Sequence, residues 1–190
     1  MIKCLLDYIV AFLGLVVCLP LLLYIIIRIR LENTGSIFYI QERLGKNSVP
    51  FKLIKFRTMY EAAEQDTPQL AVLGDKRITP FGRVLRKYHL DEIPQLWNVL
   101  RGEMSMVGPR PERAYFSKQL IERKPECVRL FTVKPGVTSL GSVKYGYASS
   151  IDAMIERSQY ELYYVDNCSL LMDFRILIGT IREVFSGKGI

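Results

Sequence analysis

The feature that most constrains this chain is its first apolar stretch: from Tyr8 to Ile27 no side chain is charged. A run of that length matches the ~20 residues a helix needs to cross the hydrocarbon of a bilayer. Arg28, Ile29 and Arg30 follow it, where a cleaved leader would carry a small-residue processing site, so the segment is expected to stay attached. Pro20 lies near its middle, where it deletes one backbone hydrogen bond and crowds the carbonyl of Val16, so a kink or break is expected there. Lys3 flanks one end and Arg28 with Arg30 the other, which leaves two topologies open: a bent full span, or a re-entrant hairpin returning to the same face. In either case the basic remainder is expected on the cytoplasmic side.

A chain of 190 residues has room beyond such an anchor for one domain with its own core, but not for two large ones. Its net charge of +7, from 26 Lys and Arg against 19 Asp and Glu, makes that domain an attractor of anions: nucleic acid, anionic lipid or nucleotide phosphate. Cys4, Cys18, Cys127 and Cys168 form no C-x-x-C pair and read as reduced thiols. Ile37 to Gln41 and Phe51 to Arg57 are β-like runs around a turn containing Gly45 and Asn47, a candidate hairpin. Thr79-Pro80 starts a helix over Phe81 to Tyr88, and Asp91 can cap a second helix whose buried side is Leu96, Trp97, Val99 and Leu100, with Gly102 past its end. Pro111 opens a polar helix to about Lys124, and Lys134-Pro135-Gly136-Val137 has the order of a type II turn. Two helices follow Ser150 and Ser169. The second, ending at Gly187, carries Leu170, Phe174, Leu177, Ile178, Ile181 and Phe185 and is read as packing into the core rather than lying on a membrane.

No glycine-rich phosphate loop and no dinucleotide fingerprint is present, so phosphate binding has to come from elsewhere. Arg83, Arg86 and Lys87 are three and four apart, a spacing that puts them on one helix face as a cationic clamp or as a solvated stripe. The adjacent Asp91 and Glu92 come directly after, at a helix start whose free N–H groups favour an ionised carboxylate. Such an aspartate can attack phosphorus or bind magnesium; the plainer reading is a cap beside a first-turn acid. His89, the sole histidine, reads as an incidental surface position. Pro109 and Pro111 fix the backbone around Arg110, which presets its direction toward a phosphate or makes a rigid turn. The cations near Asp91 lack interleaved aromatic residues for stacking bases, which argues against nucleic acid.

Together, the Pro20-interrupted apolar run, Phe38 to Arg43 with Gly45, FKLIKFRTM at Phe51 to Met59, Thr79 to Arg86, LDEIPQLWN at Leu90 to Asn98, LRGEMSMVGPRP at Leu100 to Pro111, and KPGVT at Lys134 to Thr138 resemble the bacterial sugar transferase family. These are the monotopic phosphoglycosyl transferases, and the likeness is to their short, catalytic-unit-only form. The resemblance implies that Asp91 is the nucleophile toward the phosphate next to the sugar of a UDP-sugar and that Glu92 is its dyad partner. It implies phosphate binding by Arg86 and Arg110, with Arg83 beside them, and Mg2+ at Asp91. The phosphosugar would pass to a polyprenol phosphate, with UMP leaving, at the cytoplasmic face of the bacterial inner membrane. It also selects the re-entrant anchor broken at Pro20. The expected fold is α+β: an anchor over 1–31, then a mostly helical catalytic domain with a short β-hairpin and membrane-surface helices over 32–190. Departures are Ser139, Leu140, Gly141 and Ser142 after KPGVT, where the family often has Gly-Trp and a glutamine, and Leu19 rather than serine before Pro20. Glu161 and Asp173 fall where the family tends to have acids and read as helix-surface residues. Two rivals remain: a non-catalytic membrane-bound scaffold that holds anions, and an enzyme that transfers the sugar without its phosphate. Oligomeric state, the sugar and the glycan pathway are not encoded legibly.

Overall fold

A computed structural model describes residues 2–32, 35–60, 68–72 and 74–187. Helix α1 (Ile2–Glu32) is the apolar run, and it is continuous: Pro20 sits inside one helix rather than between two. The expected break is therefore not a break in secondary structure. A proline removes one hydrogen bond of the ladder, and a long apolar helix held from outside keeps its remaining turns.

What holds α1 is the domain beneath it. Ala11 and Leu15 pack with Phe51, Leu53, Leu96, Val99 and Met104, while Ile25 and Ile29 pack with Phe56, Phe81 and Leu85. Polar contacts fix both ends. Lys3 Nζ reaches Asp173 at 2.6 Å, Asp7 accepts from Ser105 Oγ at 2.7 Å, and at the far end Glu32 accepts from the main-chain N–H of Phe81 at 2.8 Å. A helix of this length spans ~46 Å, and the same domain grips it near both termini. Most of its other apolar side chains, from Leu5 to Leu31, are exposed.

The hairpin forms from β1 (Phe38–Leu44) and β2 (Pro50–Phe56), antiparallel from Phe38 opposite Phe56 to Leu44 opposite Pro50. Helix α2 (Pro80–Lys87) starts where Thr79 Oγ1 accepts from Gly82 N at 3.0 Å. A 3-10 turn (Leu90–Glu92) and α3 (Gln95–Leu100) come next. Asp91 is thus not the cap of a long helix, because His89 takes a left-handed conformation (φ 54°) that reverses the chain two residues earlier. On α3, Leu96 and Val99 are buried, but Trp97 points outward, 53% exposed. Gly102, at φ +76°, closes the helix as expected.

Strand β3 (Ser105–Val107) pairs in parallel with β4 (Gly136–Thr138), so the last three residues of KPGVT are a strand where a turn was expected. The glycine is needed for close approach: a Cβ at Gly136 would lie 2.1 Å from the main-chain nitrogen of Gly108. Gly136→Ala is expected to cost about 2–3 kcal/mol, seen as a lower melting temperature, because neither backbone can yield. Helix α4 (Ala114–Arg123) starts three residues later than expected. Pro111 and Glu112 are held extended instead, with the carbonyls of Pro111 and Glu112 accepting from Arg43 Nη1 and Leu44 N.

A 3-10 segment (Pro125–Thr132), α5 (Leu140–Lys144), α6 (Ile151–Asn167) and α7 (Leu170–Ser186) complete the α+β fold. Ser150 and Ser169 cap α6 and α7 as read from sequence. The core reading of α7 is overturned: Ile176 is buried, but Leu170, Phe174, Ile181 and Phe185 are exposed, Phe185 by 83%. Asp173 takes the inward position because Lys3 and the Tyr164 hydroxyl neutralise and bond it.

Candidate active site

One cavity of about 560 Å³ opens between the hairpin, the end of α2, the 3-10 turn at Asp91 and the Arg110 loop. Among the described residues, Arg43, Lys55, Arg57, Arg77, Arg86, Arg110 and Arg113 line it, and the acids in its lining are Asp91 and Glu92. That imbalance sets up a strongly positive field in a confined space, a trap for a multiply charged anion.

Local structure explains why two acids sit there. Leu90 packs into the cluster around Ile25 and Phe81, and Ile93 into the cluster around Ala11 and Leu96. Two apolar anchors on either side thus leave Asp91 and Glu92 directed at the cavity. Asn98, fully buried, steadies the arrangement by accepting from Ile54 N at 3.1 Å and donating to the Lys52 carbonyl at 2.7 Å, which locks α3 to β2.

The acids differ. Glu92 Oε1 takes Lys55 Nζ at 2.5 Å and Arg110 Nη2 at 3.3 Å. Burial alone would raise its pKa, but Lys55 and Arg110 outweigh that and hold it ionised, well below the usual carboxylate range. None of the described hydrogen bonds ends on the Asp91 carboxylate, which is 7% exposed. Burial pushes the Asp91 pKa up, Lys55 pulls it down, and Glu92 adds to the rise. The expected helix-terminus effect on Asp91 is therefore not the governing one; desolvation is. A buried carboxylate that accepts none of the described hydrogen bonds and lies near the Lys55 and Arg86 side chains has the character of a nucleophile or a metal ligand rather than a structural cap.

Among the expected phosphate binders, Arg86 lines the cavity and is braced by Thr58 Oγ1 at 2.8 Å, and Arg110 lines it as well. Arg83 does not join them. It is exposed on the outer face of α2 and does not line the cavity, so the three-cation clamp reduces to Arg86, while Lys87 lies over the Tyr88 ring. His89, read as incidental, lines the cavity with its Nε2 buried and without a hydrogen-bond partner.

Lys55 was missed, although β2 carried the sign of it. Phe51 and Leu53 fill the core, and Lys55 continues their parity, an amine where alternation calls for an apolar residue. For a metal, the described residues contain no group of three or more His, Cys, Asp or Glu. Magnesium is commonly held by one or two carboxylates together with substrate phosphates, and the open Asp91 carboxylate suits that mode.

A buried carboxylate near Lys55 and Arg86, in a cavity lined by further cations, has the chemistry to meet a phosphate. The chain belongs to the family described as bacterial sugar transferases, whose profile matches residues 1–187. Over 183 residues it is 37% identical to the UDP-N-acetylgalactosamine-undecaprenyl-phosphate N-acetylgalactosaminephosphotransferase of Aeromonas hydrophila, covering 96% of this chain and 43% of that protein. It is 37% identical over 188 residues to a UDP-glucose:undecaprenyl-phosphate glucose-1-phosphate transferase of Caulobacter vibrioides, covering 97% and 70%. An exopolysaccharide production protein of Rhizobium leguminosarum is 36% identical over 187 residues, covering 93% and 92%. The chain thus spans less than half of the first of these relatives and about two thirds of the second.

Proposed function

We propose that this protein is a phosphoglycosyl transferase that moves a phosphosugar from a UDP-sugar to a polyprenol phosphate such as undecaprenyl phosphate, releasing UMP. The observation that carries the reading is the contrast within the acid pair: Asp91 open, Glu92 tied to Lys55 and Arg110. The names of the relatives supply the donor and acceptor classes.

In the first half-reaction an oxygen of Asp91 attacks the phosphorus bearing the sugar. A new P–O bond forms, the diphosphate bridge breaks, and its oxygen leaves on UMP. In the second, a phosphate oxygen of the polyprenol phosphate attacks the same phosphorus and the acyl phosphate bond breaks, which regenerates the Asp91 carboxylate. Arg86 and Arg110 hold the diphosphate oxygens, and their fixed charges oppose the build-up of negative charge on the leaving group. Glu92, already ionised and engaged, holds Lys55 and Arg110 in place. Mg2+, held by Asp91 and the substrate's own oxygens, would neutralise part of the diphosphate charge.

The anchor fits a membrane-borne acceptor. Helix α1 is long and apolar enough to cross a bilayer by length and composition. Its two ends are fastened to one domain, which supports an anchor seated in one leaflet at the cytoplasmic face over a span with ends in opposite compartments, although the helix is not the broken hairpin expected at Pro20.

The test is incubation with a panel of UDP-sugars and undecaprenyl phosphate, scored for UMP, with peptide mass spectrometry for a phosphosugar on Asp91. Release of UDP in place of UMP would mean transfer of the sugar without its phosphate. The pH dependence gives a second check. Because the Asp91 pKa is raised in the folded protein, its reactive ionised form is lost as pH falls through that raised value. Adduct formation is therefore expected to decline on the acid side at a pH above the ~3.9 of an ordinary aspartate.

A further inference from the structure

Behind the cavity wall lies a group of charges that the reaction above does not use. Arg157, on α6 and 5% exposed, does not line the cavity. Its guanidinium Nη2 makes a very short contact with Glu112 Oε1. The other oxygen of Glu112 is 3.7 Å from Arg43 Nη1, a loose ion pair that is beyond hydrogen-bond distance. Arg43 is bonded instead to the Pro111 carbonyl at 3.1 Å and Gln41 Oε1 at 2.6 Å, with its Nε left without a partner. Glu112 also acts on Arg110 through space, as does Glu92. Glu161, 3% exposed and bonded to Ser139 Oγ at 2.7 Å, is the second acid facing Arg157.

Glu112 is thus an anion within reach of the cavity cation Arg43, and it competes with any phosphate for it. Arg43 and Arg110 repel one another, so either gains from closing on a carboxylate. We infer that Arg157 is a positioning residue that keeps the Glu112 carboxylate from closing fully on Arg43, so that this guanidinium group stays available to a substrate phosphate. This rests on the phosphate-handling reading of the cavity and assigns a role to a residue that touches no substrate.

The sign of the effect follows from the geometry. Without the Arg157 charge, Glu112 has to close the 3.7 Å gap to Arg43 to stay paired in a buried setting. The Arg43 cation is then lost to a phosphate in the cavity. Removing Glu112 as well takes away the competitor.

The experiment measures binding of inorganic pyrophosphate to the full chain in nanodiscs by calorimetry at fixed ionic strength. Arg157→Met is expected to weaken the Kd roughly tenfold, Arg157→Lys to stay near wild type, and the double variant Arg157→Met with Glu112→Gln to recover most of the loss. A residue that only filled space would show no recovery on losing a second buried charge. Where the Met variant fails to fold, Arg157→Gln takes its place, and equal affinities for the Gln and Lys variants overturn the inference. So does a double variant as weak as the single one, or a wild type that does not bind pyrophosphate. UMP release is followed in parallel. Weakened pyrophosphate binding in a chain that never releases UMP sinks the substrate assignment alone; normal UMP release with unchanged KM and Kd in Arg157→Met sinks this inference alone.

Discussion

Replacing Asp91 with Asn is expected to lower UMP release by at least about a thousandfold, the scale on which loss of a covalent nucleophile falls, and to leave no phosphosugar adduct. The stability change should run the other way. Since the Asp91 pKa is raised in the folded state, the folded protein holds that proton more tightly than the unfolded chain between ~3.9 and the raised value. Stability from this group is present below that window and is lost as pH rises through it. At neutral pH the buried charge is a net cost, and the neutral amide escapes it. A variant that is inactive yet melts slightly higher than wild type is therefore the expected pair of results, read from a product assay and a thermal melt. Wild-type turnover in a folded Asp91→Asn protein would remove the nucleophile from the mechanism.

The second large effect is expected at Lys55. Its amine is bonded to Glu92 and draws the Asp91 pKa down. Burial lowers the Lys55 pKa, and Glu92 restores it in part. Lys55→Met leaves Glu92 with only the longer Arg110 contact and strips Asp91 of its main compensating charge. Breaking one partner of a buried pair costs roughly 3 kcal/mol, so a lower denaturation midpoint is expected. Activity should fall with it, and the acid limb of the pH profile should move to still higher pH, since the group that lowered the Asp91 pKa has gone. An unchanged limb would show that Lys55 does not control the ionisation of Asp91.

How far the sequence alone reached depends on which force governs each element. Local chemistry was legible: Thr79 before Pro80, Ser150, Ser169 and Gly187 mark helix ends through single side-chain or backbone rules, and the structure follows them. The adjacency of Asp91 and Glu92 was visible too, but their different ionisation was not. That difference arises from Lys55 and Arg110, which are brought in by other elements. Arg83 misled because helical spacing places three cations near one another without saying which of them faces a cavity. Gly136 misled because Pro-Gly reads as a turn whenever a partner strand is unknown; the parallel pairing with Ser105 to Val107 is a long-range fact. Glu161 and Asp173 looked like surface acids because burial of a carboxylate is favourable only with partners, here Ser139 for one and Lys3 with Tyr164 for the other, that lie far away in sequence.

The gripping of α1 near both ends bears on how such a protein meets its lipid. An anchor attached at one end lets a domain bob and tilt over the bilayer like a float on a line. Here Lys3, Asp7 and Glu32 fasten the rod lengthwise along the body. Under the proposed function, the rod itself would set the height at which Asp91 meets a phosphate carried by a lipid.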